Sequence, residues 1–228
     1  MVLSEAPSGP TKASNLALRA TFEDSTVYLN PDTTVRGSMN VSQDGFLTTT
    51  SYKIQGSKSG YKANTSSKFR ISNFISGPYT ITFWVFSPFT GTWGGQWRTI
   101  LAPDRYFSTN TWRFYFQASD GAIGVYRDLN GSAEFFSTGI NYTNIYNRWV
   151  MMSISSSGRV TVKGTNTTDY DGLLISGTYN TAGDSFEFSA AEDTTLYDIT
   201  NMYYDDIRVY NAALTSSELN AVYNENSP

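Results

Sequence analysis

Residues 79–86 read Tyr-Thr-Ile-Thr-Phe-Trp-Val-Phe, an alternation with a period of two. The pattern predicts a strand with Ile81, Phe83 and Val85 toward a core and Thr80, Thr82, Trp84 and Phe86 on the opposite face. Pro88 closes it. Nearer the start, Leu16, Leu18, Ala20 and Phe22 alternate with Ala17, Arg19, Thr21 and Glu23, as in a half-buried strand. Asn30-Pro31-Asp32 marks a turn. Shorter alternations follow at Val41, Phe46-Leu47, Tyr52-Lys53-Ile54 and 68–71, separated by Gly45, Gly56 and Gly60. Further strands are expected at 98–102, 112–117, 122–127, 133–137, 148–154, 159–163, 172–176, 184–189 and 203–210. The pair around Gly158 reads as a hairpin. In the last strand Ile207 and Val209 share one face, and Asp206, Arg208 and Tyr210 share the other. The period then changes. Thr215 is a good N-cap and Glu218 follows three residues later, which makes a capping box. Leu214 and Leu219 have the spacing of a hydrophobic staple around that cap.

Many short strands with regular turns and one terminal helix predict an all-β fold. The expected architecture is a two-sheet antiparallel jelly-roll β-sandwich with one short C-terminal helix. Residues 1–15, with Pro7, Gly9 and Pro10, read as an extended N-terminal arm, and residues 16–228 as the sandwich.

Some of these segments also carry a family likeness. The run YTITFWVFSP at 79–88 resembles a strand of laminin-G-like domains. Arg148 to Ile154 with Gly158 and 159–162 resembles their central hairpin. The closing segment DDIRVYNAAL followed by TSSELNAVY resembles the end of laminin-G-like and concanavalin-like (pentraxin-like) domains. The likeness covers roughly residues 16–225. It implies a concanavalin-like sandwich, a scaffold that serves unrelated roles. It also implies calcium as the natural ion, at the sandwich rim. The candidate ligands are Asp169 and Asp171 in TTDYDG, and Glu192 and Asp193 in AAEDTT. The alternative for these acids is a solvated loop with Asx turns.

Composition narrows the chemistry. The chain of 228 residues has no Cys and no His, so thiol nucleophiles, thiolate metal sites and histidine general bases are excluded. Its net charge is −4, with charges scattered and no basic stripe, so nucleic acid is not an expected partner. No apolar run is long enough to span a bilayer, so membrane insertion is not expected. The first residues lack a basic start followed by an apolar stretch. Either a leader was removed ahead of Met1, or the protein uses another route. The Glu-x-Asp-x-x-Glu arrangement of laminarinase-type enzymes on this scaffold is absent, so catalysis is not expected.

Aromatic residues make up 15% of the chain, enough to supply both a core and a binding surface. Trp93, Trp97 and Tyr106 lie in or just after the Gly-rich loop 89–97. Tyr126 and Arg127 sit at an expected strand end. These are the candidate ligand-binding residues. Trp84 and Trp149 are expected in the core, and Asp205 is expected to accept backbone hydrogen bonds at a strand entry. The function expected is a non-catalytic structural or adhesive protein, a bacteriophage virion surface component (head decoration or fibre) able to bind glycans. Its partners would be other virion proteins, capsid or tail, further copies of itself, and cell-surface glycans. The alternatives are a free, secreted lectin-like carbohydrate-binding module and a polysaccharide-active enzyme on the same fold.

Overall fold

The computed structural model describes residues 13–23, 27–43, 46–54, 58–62, 69–88, 98–103, 111–117, 119–129, 132–175, 185–188 and 202–226. In chain order the strands are β1 (Leu16–Ala20), β2 (Val27–Leu29), β3 (Asn40–Ser42), β4 (Phe46–Thr49), β5 (Ser59–Lys62), β6 (Phe69–Ser72), β7 (Thr80–Phe86) and β8 (Arg98–Pro103). They continue as β9 (Thr111–Phe116), β10 (Ala122–Leu129), β11 (Ser132–Asn141), β12 (Trp149–Ser155), β13 (Arg159–Lys163), β14 (Tyr170–Leu173), β15 (Phe186–Phe188) and β16 (Tyr203–Tyr210). The helices are α1 (Thr33–Arg36), α2 (Tyr142–Ile145) and α3 (Ser216–Asn226).

The strands form two antiparallel sheets facing each other, the sandwich expected from the alternation. Among the described residues one sheet has nine strands, with a main path β14-β13-β12-β7-β16-β1-β2, and β5 and β4 continuing from β16. The other has seven, in the order β11-β10-β9-β8-β15-β6-β3. The added helices α1 and α2 are single turns, too short to impose a helical period on the sequence. Asp32 starts α1 by accepting the Thr34 amide proton at 2.8 Å. The arm of residues 1–15 was expected to be extended throughout. Residues 1–12 lie outside the described residues, whereas Ala13–Asn15 form a 3-10 turn. The Asn211 amide holds that turn by donating to the Asn15 carbonyl at 2.8 Å.

Between the sheets lies a core rich in aromatic rings. Phe22 meets Phe69 edge-on at 5.3 Å, and Phe83 meets Phe188 at 5.2 Å, the offset geometry that ring quadrupoles favour. Close packing here explains Gly60. A Cβ at that position would come within 2.5 Å of the Phe46 ring and 2.6 Å of Phe22. Gly158 makes the β12–β13 turn at φ 79°, where a Cβ would strike the Ile175 carbonyl oxygen at 1.8 Å.

β7 runs between β12 and β16, and every one of its residues is buried. Its outward face is covered too, because α3 packs there. Trp84 is buried and stacks on Tyr223 at 5.3 Å, while Leu214, Leu219 and Val222 join Met151 and Tyr210 in a second apolar cluster. The helix begins as expected. The Thr215 amide donates to Glu218 Oε2 at 2.8 Å, and the Glu218 amide donates to Thr215 Oγ1 at 3.4 Å.

β16 keeps the expected alternation from Ile207 to Tyr210, but the alternation breaks just before it. Asp205 pairs with Trp84 but Arg208 pairs with Thr82, so β16 holds one more residue than β7 over this step. The bulge centres on Asp206, whose φ is 43°, in the left-handed region. It places Tyr204, Ile207 and Val209 in the main core and turns Tyr203, Asp205, Arg208 and Tyr210 outward. Under α3 the bulge anchors a buried charge network. Arg19 Nε donates to Asp206 Oδ1 at 2.6 Å and Arg208 Nε donates to Asp206 Oδ2 at 2.8 Å. Arg208 also reaches Glu225 on the helix at 2.5 Å. Burial alone would lower the Arg208 pKa, but the Asp206 carboxylate and the Tyr210 hydroxyl beside it raise it, so the guanidinium stays charged.

Candidate functional site

At the other end of the same outward face, cross-strand register lines up a different set of side chains. Leu47 on β4 pairs with Tyr61 on β5. Tyr61 pairs with Tyr203 on β16, Tyr203 with Phe86 on β7, and Phe86 with Trp149 on β12. In a pleated sheet, residues paired this way project from one face. The row crosses the sheet for about 19 Å at ~4.8 Å per strand spacing. Tyr61 stacks against Tyr203 at 5.6 Å and Phe86 meets Trp149 at 5.6 Å. Tyr61, Tyr203 and Trp149 are half-buried, and Leu47 at the end of the row is 46% exposed.

Tyr52 stands on this row. Its ring stacks on Phe86 at 4.4 Å with an interplanar angle of 25°, and it meets Tyr203 at 4.5 Å. Phe86 is only 6% exposed. The segment bearing Tyr52 is clamped twice just after the ring. The buried Ser59 hydroxyl donates to the Tyr52 carbonyl, and the Ile54 amide donates to Asp205 Oδ2 at 3.1 Å. Asp205 is fully buried and also accepts its neighbour Asp206's amide at 2.8 Å, the backbone-binding role expected of it at the strand entry. Burial raises the Tyr203 pKa, and the nearby Tyr52 and Tyr61 phenols raise it further. The three rings lie together, Tyr52 and Tyr61 each beside Tyr203.

The candidates named from sequence fall elsewhere. Trp93, Trp97, Tyr106, Glu192 and Asp193 lie outside the described residues. Tyr126 and Arg127 are placed inside β10 rather than at a strand end, because β10 runs on to Leu129. Tyr126 pairs with Arg113 and Phe135 on the outward face of the seven-stranded sheet, with the Arg113 guanidinium 5.7 Å from its ring. Arg127 alternates to the other face, forming an ion pair with Glu134 at 2.5 Å and lying over the Phe136 ring. The two neighbours in sequence thus serve opposite faces. Asp169 accepts the Gly164 and Thr165 amides at 2.9 and 3.2 Å, as in a turn. Asp171 pairs with Arg159 at 2.8 Å. Burial opposes ionisation of Asp171, but hydrogen bonds from Arg159, Ser216 and Thr161 outweigh it and hold its pKa below the usual value. Among the described residues no group of acids gathers as a metal site would require. Glu187 on β15 is buried against Arg70, whose Nε donates to it at 2.7 Å.

Sequence reasoning missed the aromatic row. Trp149 was expected in the core and is instead half-buried on the outward face. Its strand alternation pointed one way or the other only once Met152 and Ile154 were known to face inward.

No family model matches the chain, and no curated protein matches it in sequence. Solved structures do resemble its fold. Domain 4 of AbnA, an extracellular GH43 arabinanase from Geobacillus stearothermophilus, was solved in complex with arabinotriose. It shares 18% identity over 90% of this chain and 96% of that one, with a TM-score of 0.56. The botulinum neurotoxin type G receptor-binding domain shares 16% identity over 92% of this chain, with a TM-score of 0.59. The binding domain of Paraclostridial Mosquitocidal Protein 1 shares 16% over 93%, with a TM-score of 0.57. This chain spans about half of each toxin domain, at 51% and 52%. At these identities the likeness is one of fold, a β-sandwich.

Proposed function

We propose that this chain is a non-catalytic carbohydrate-recognising module of the laminin-G-like, concanavalin-like kind, with Tyr61 and Tyr203 of the aromatic row as its binding platform. The observation that carries this reading is the row itself, aromatic at successive strands, with Tyr61 and Tyr203 half-open to solvent on the outward face. Sugar rings present flat C–H faces that pack on aromatic rings, and hydroxyls that pair with phenol groups. The arabinotriose complex of a structural neighbour supports the same class of ligand. The burial of Glu187 against Arg70 supports the non-catalytic part.

A glycan array followed by calorimetry tests the reading. Tyr203→Ala and Tyr61→Ala are expected to weaken binding by about 1–3 kcal/mol each, the scale of a lost aromatic anchor. Unchanged binding in both variants sinks the platform. Running the array with and without calcium tests whether an ion takes part. Attachment of such a module to a virus particle is the second reading, supported by the Ser-, Thr-, Asn- and Gly-rich composition. Density-gradient fractionation of the native source decides it. Banding at a fixed ratio to a capsid protein supports attachment, and a soluble or cell-associated chain overturns it.

A further inference from the structure

The row is not equally open along its length. Phe86, near its middle, is 6% exposed because Tyr52 lies flat against it, whereas Leu47 at one end is 46% exposed. A polymer lying along the whole row would have to pass through the Tyr52 ring. That ring does not hang free, since Ser59 and Asp205 hold the backbone at its own carbonyl and at the Ile54 amide two residues on. Resting on the carbohydrate-binding reading above, we infer that Tyr52 makes this a chain-end site. The terminal sugar unit lodges in the notch between Tyr52, Tyr61 and Tyr203, and the rest of the chain leaves over Leu47 into solvent.

The chemistry of the notch fits a terminal unit. Tyr203 and Tyr61 form a stacked floor and Tyr52 forms an end wall. Their phenols offer neutral donors and acceptors together, suited to the extra hydroxyl that a chain end carries and an internal unit lacks. Asp205 lies beneath the wall, but both its carboxylate oxygens are engaged by backbone amides. It therefore acts as a positioning residue for Tyr52. The class of ligand is a neutral glycan read at its end.

The test is calorimetric titration of the full chain with the trimer, hexamer and polymer of 1,5-arabinan, and with the matching β-1,4-xylan and β-1,4-glucan series. Trimer and hexamer are expected to bind with equal affinity, and sites on the polymer to equal its chain ends. Tyr52→Ala is expected to raise the polymer's site count toward the number of repeat units. Tyr52→Phe keeps the wall, so the count stays while affinity falls about three- to tenfold, the loss of roughly one hydrogen bond. Wild-type saturation in proportion to repeat units overturns the chain-end inference alone, since glycan binding would stand. An unchanged count in a folded Tyr52→Ala protein also overturns it. If Tyr52→Ala does not fold, the wild-type and Tyr52→Phe counts decide. Absence of binding to every series overturns this inference together with the platform reading.

Discussion

β16 carries two unlike surfaces on one outward face. From Arg208 onward the face is sealed. α3 covers it, and the charges beneath are matched, with Asp206 between Arg19 and Arg208, and Glu225 reaching down from the helix. At Tyr203, beyond the helix's reach, the face holds uncharged aromatic rings that stay half-open. Burying a charge is tolerable only when its partner is buried with it, so the sealed half is specified by pairs. An open half needs no such matching and leaves surface for a ligand. The difference teaches where to look for function in this sandwich: at the part of the sheet that the terminal helix leaves uncovered.

The comparison breaks if the two halves respond alike to mutation. Arg208→Ala has the largest expected effect. It leaves buried Asp206 with Arg19, and half-buried Glu225 without this partner, and should lower unfolding stability by about 3 kcal/mol in a denaturant titration. Tyr203→Ala should cost less stability while removing most glycan affinity, so the ratio of the two losses separates sealed from open. A Tyr203→Ala protein as unstable as Arg208→Ala would show that the row is structural. Thr215→Ala removes the cap of α3 and should lower stability by about 1 kcal/mol, with glycan affinity unchanged. The smallest effect concerns pH. The folded pKa of Asp171 lies below its ordinary value of 3.8, so its contribution is complete above that value and is lost as pH falls through the folded one. Asp171→Asn should flatten that acid limb by less than about 1 kcal/mol, because solvent screens the pair with Arg159. A stability profile unchanged by the substitution at every pH would show that the pair contributes nothing.

Much of the fold was legible along the chain because it rests on local rules. The alternation of 80–86, the hairpin at Gly158 and the Thr215–Glu218 box are each decided within a few residues, and each appears in the structure. The aromatic row was not legible. Leu47, Tyr61, Phe86, Trp149 and Tyr203 meet only because the sheet brings β4, β5, β16, β7 and β12 side by side, and no spacing in the sequence encodes that order. Tyr126 and Arg127 illustrate the other limit. Both were named as binding residues, yet adjacent positions on a strand cannot share a face. The inward placement of Ile123 and Val125 on β10 decides which face each serves.

The bulge at Asp206 has a consequence for comparing related chains. It acts as a parity shift within a single strand: odd-numbered residues before it and even-numbered residues after it share the outward face. A relative that dropped this one residue would have a regular strand in which every remaining position keeps its face and the same core. Aligned without a gap, two such chains would look unrelated through this strand, although their folded faces matched. A one-residue gap placed at Asp206 would restore the correspondence, and with it the link between Tyr203 on the open surface and Tyr210 beneath the helix.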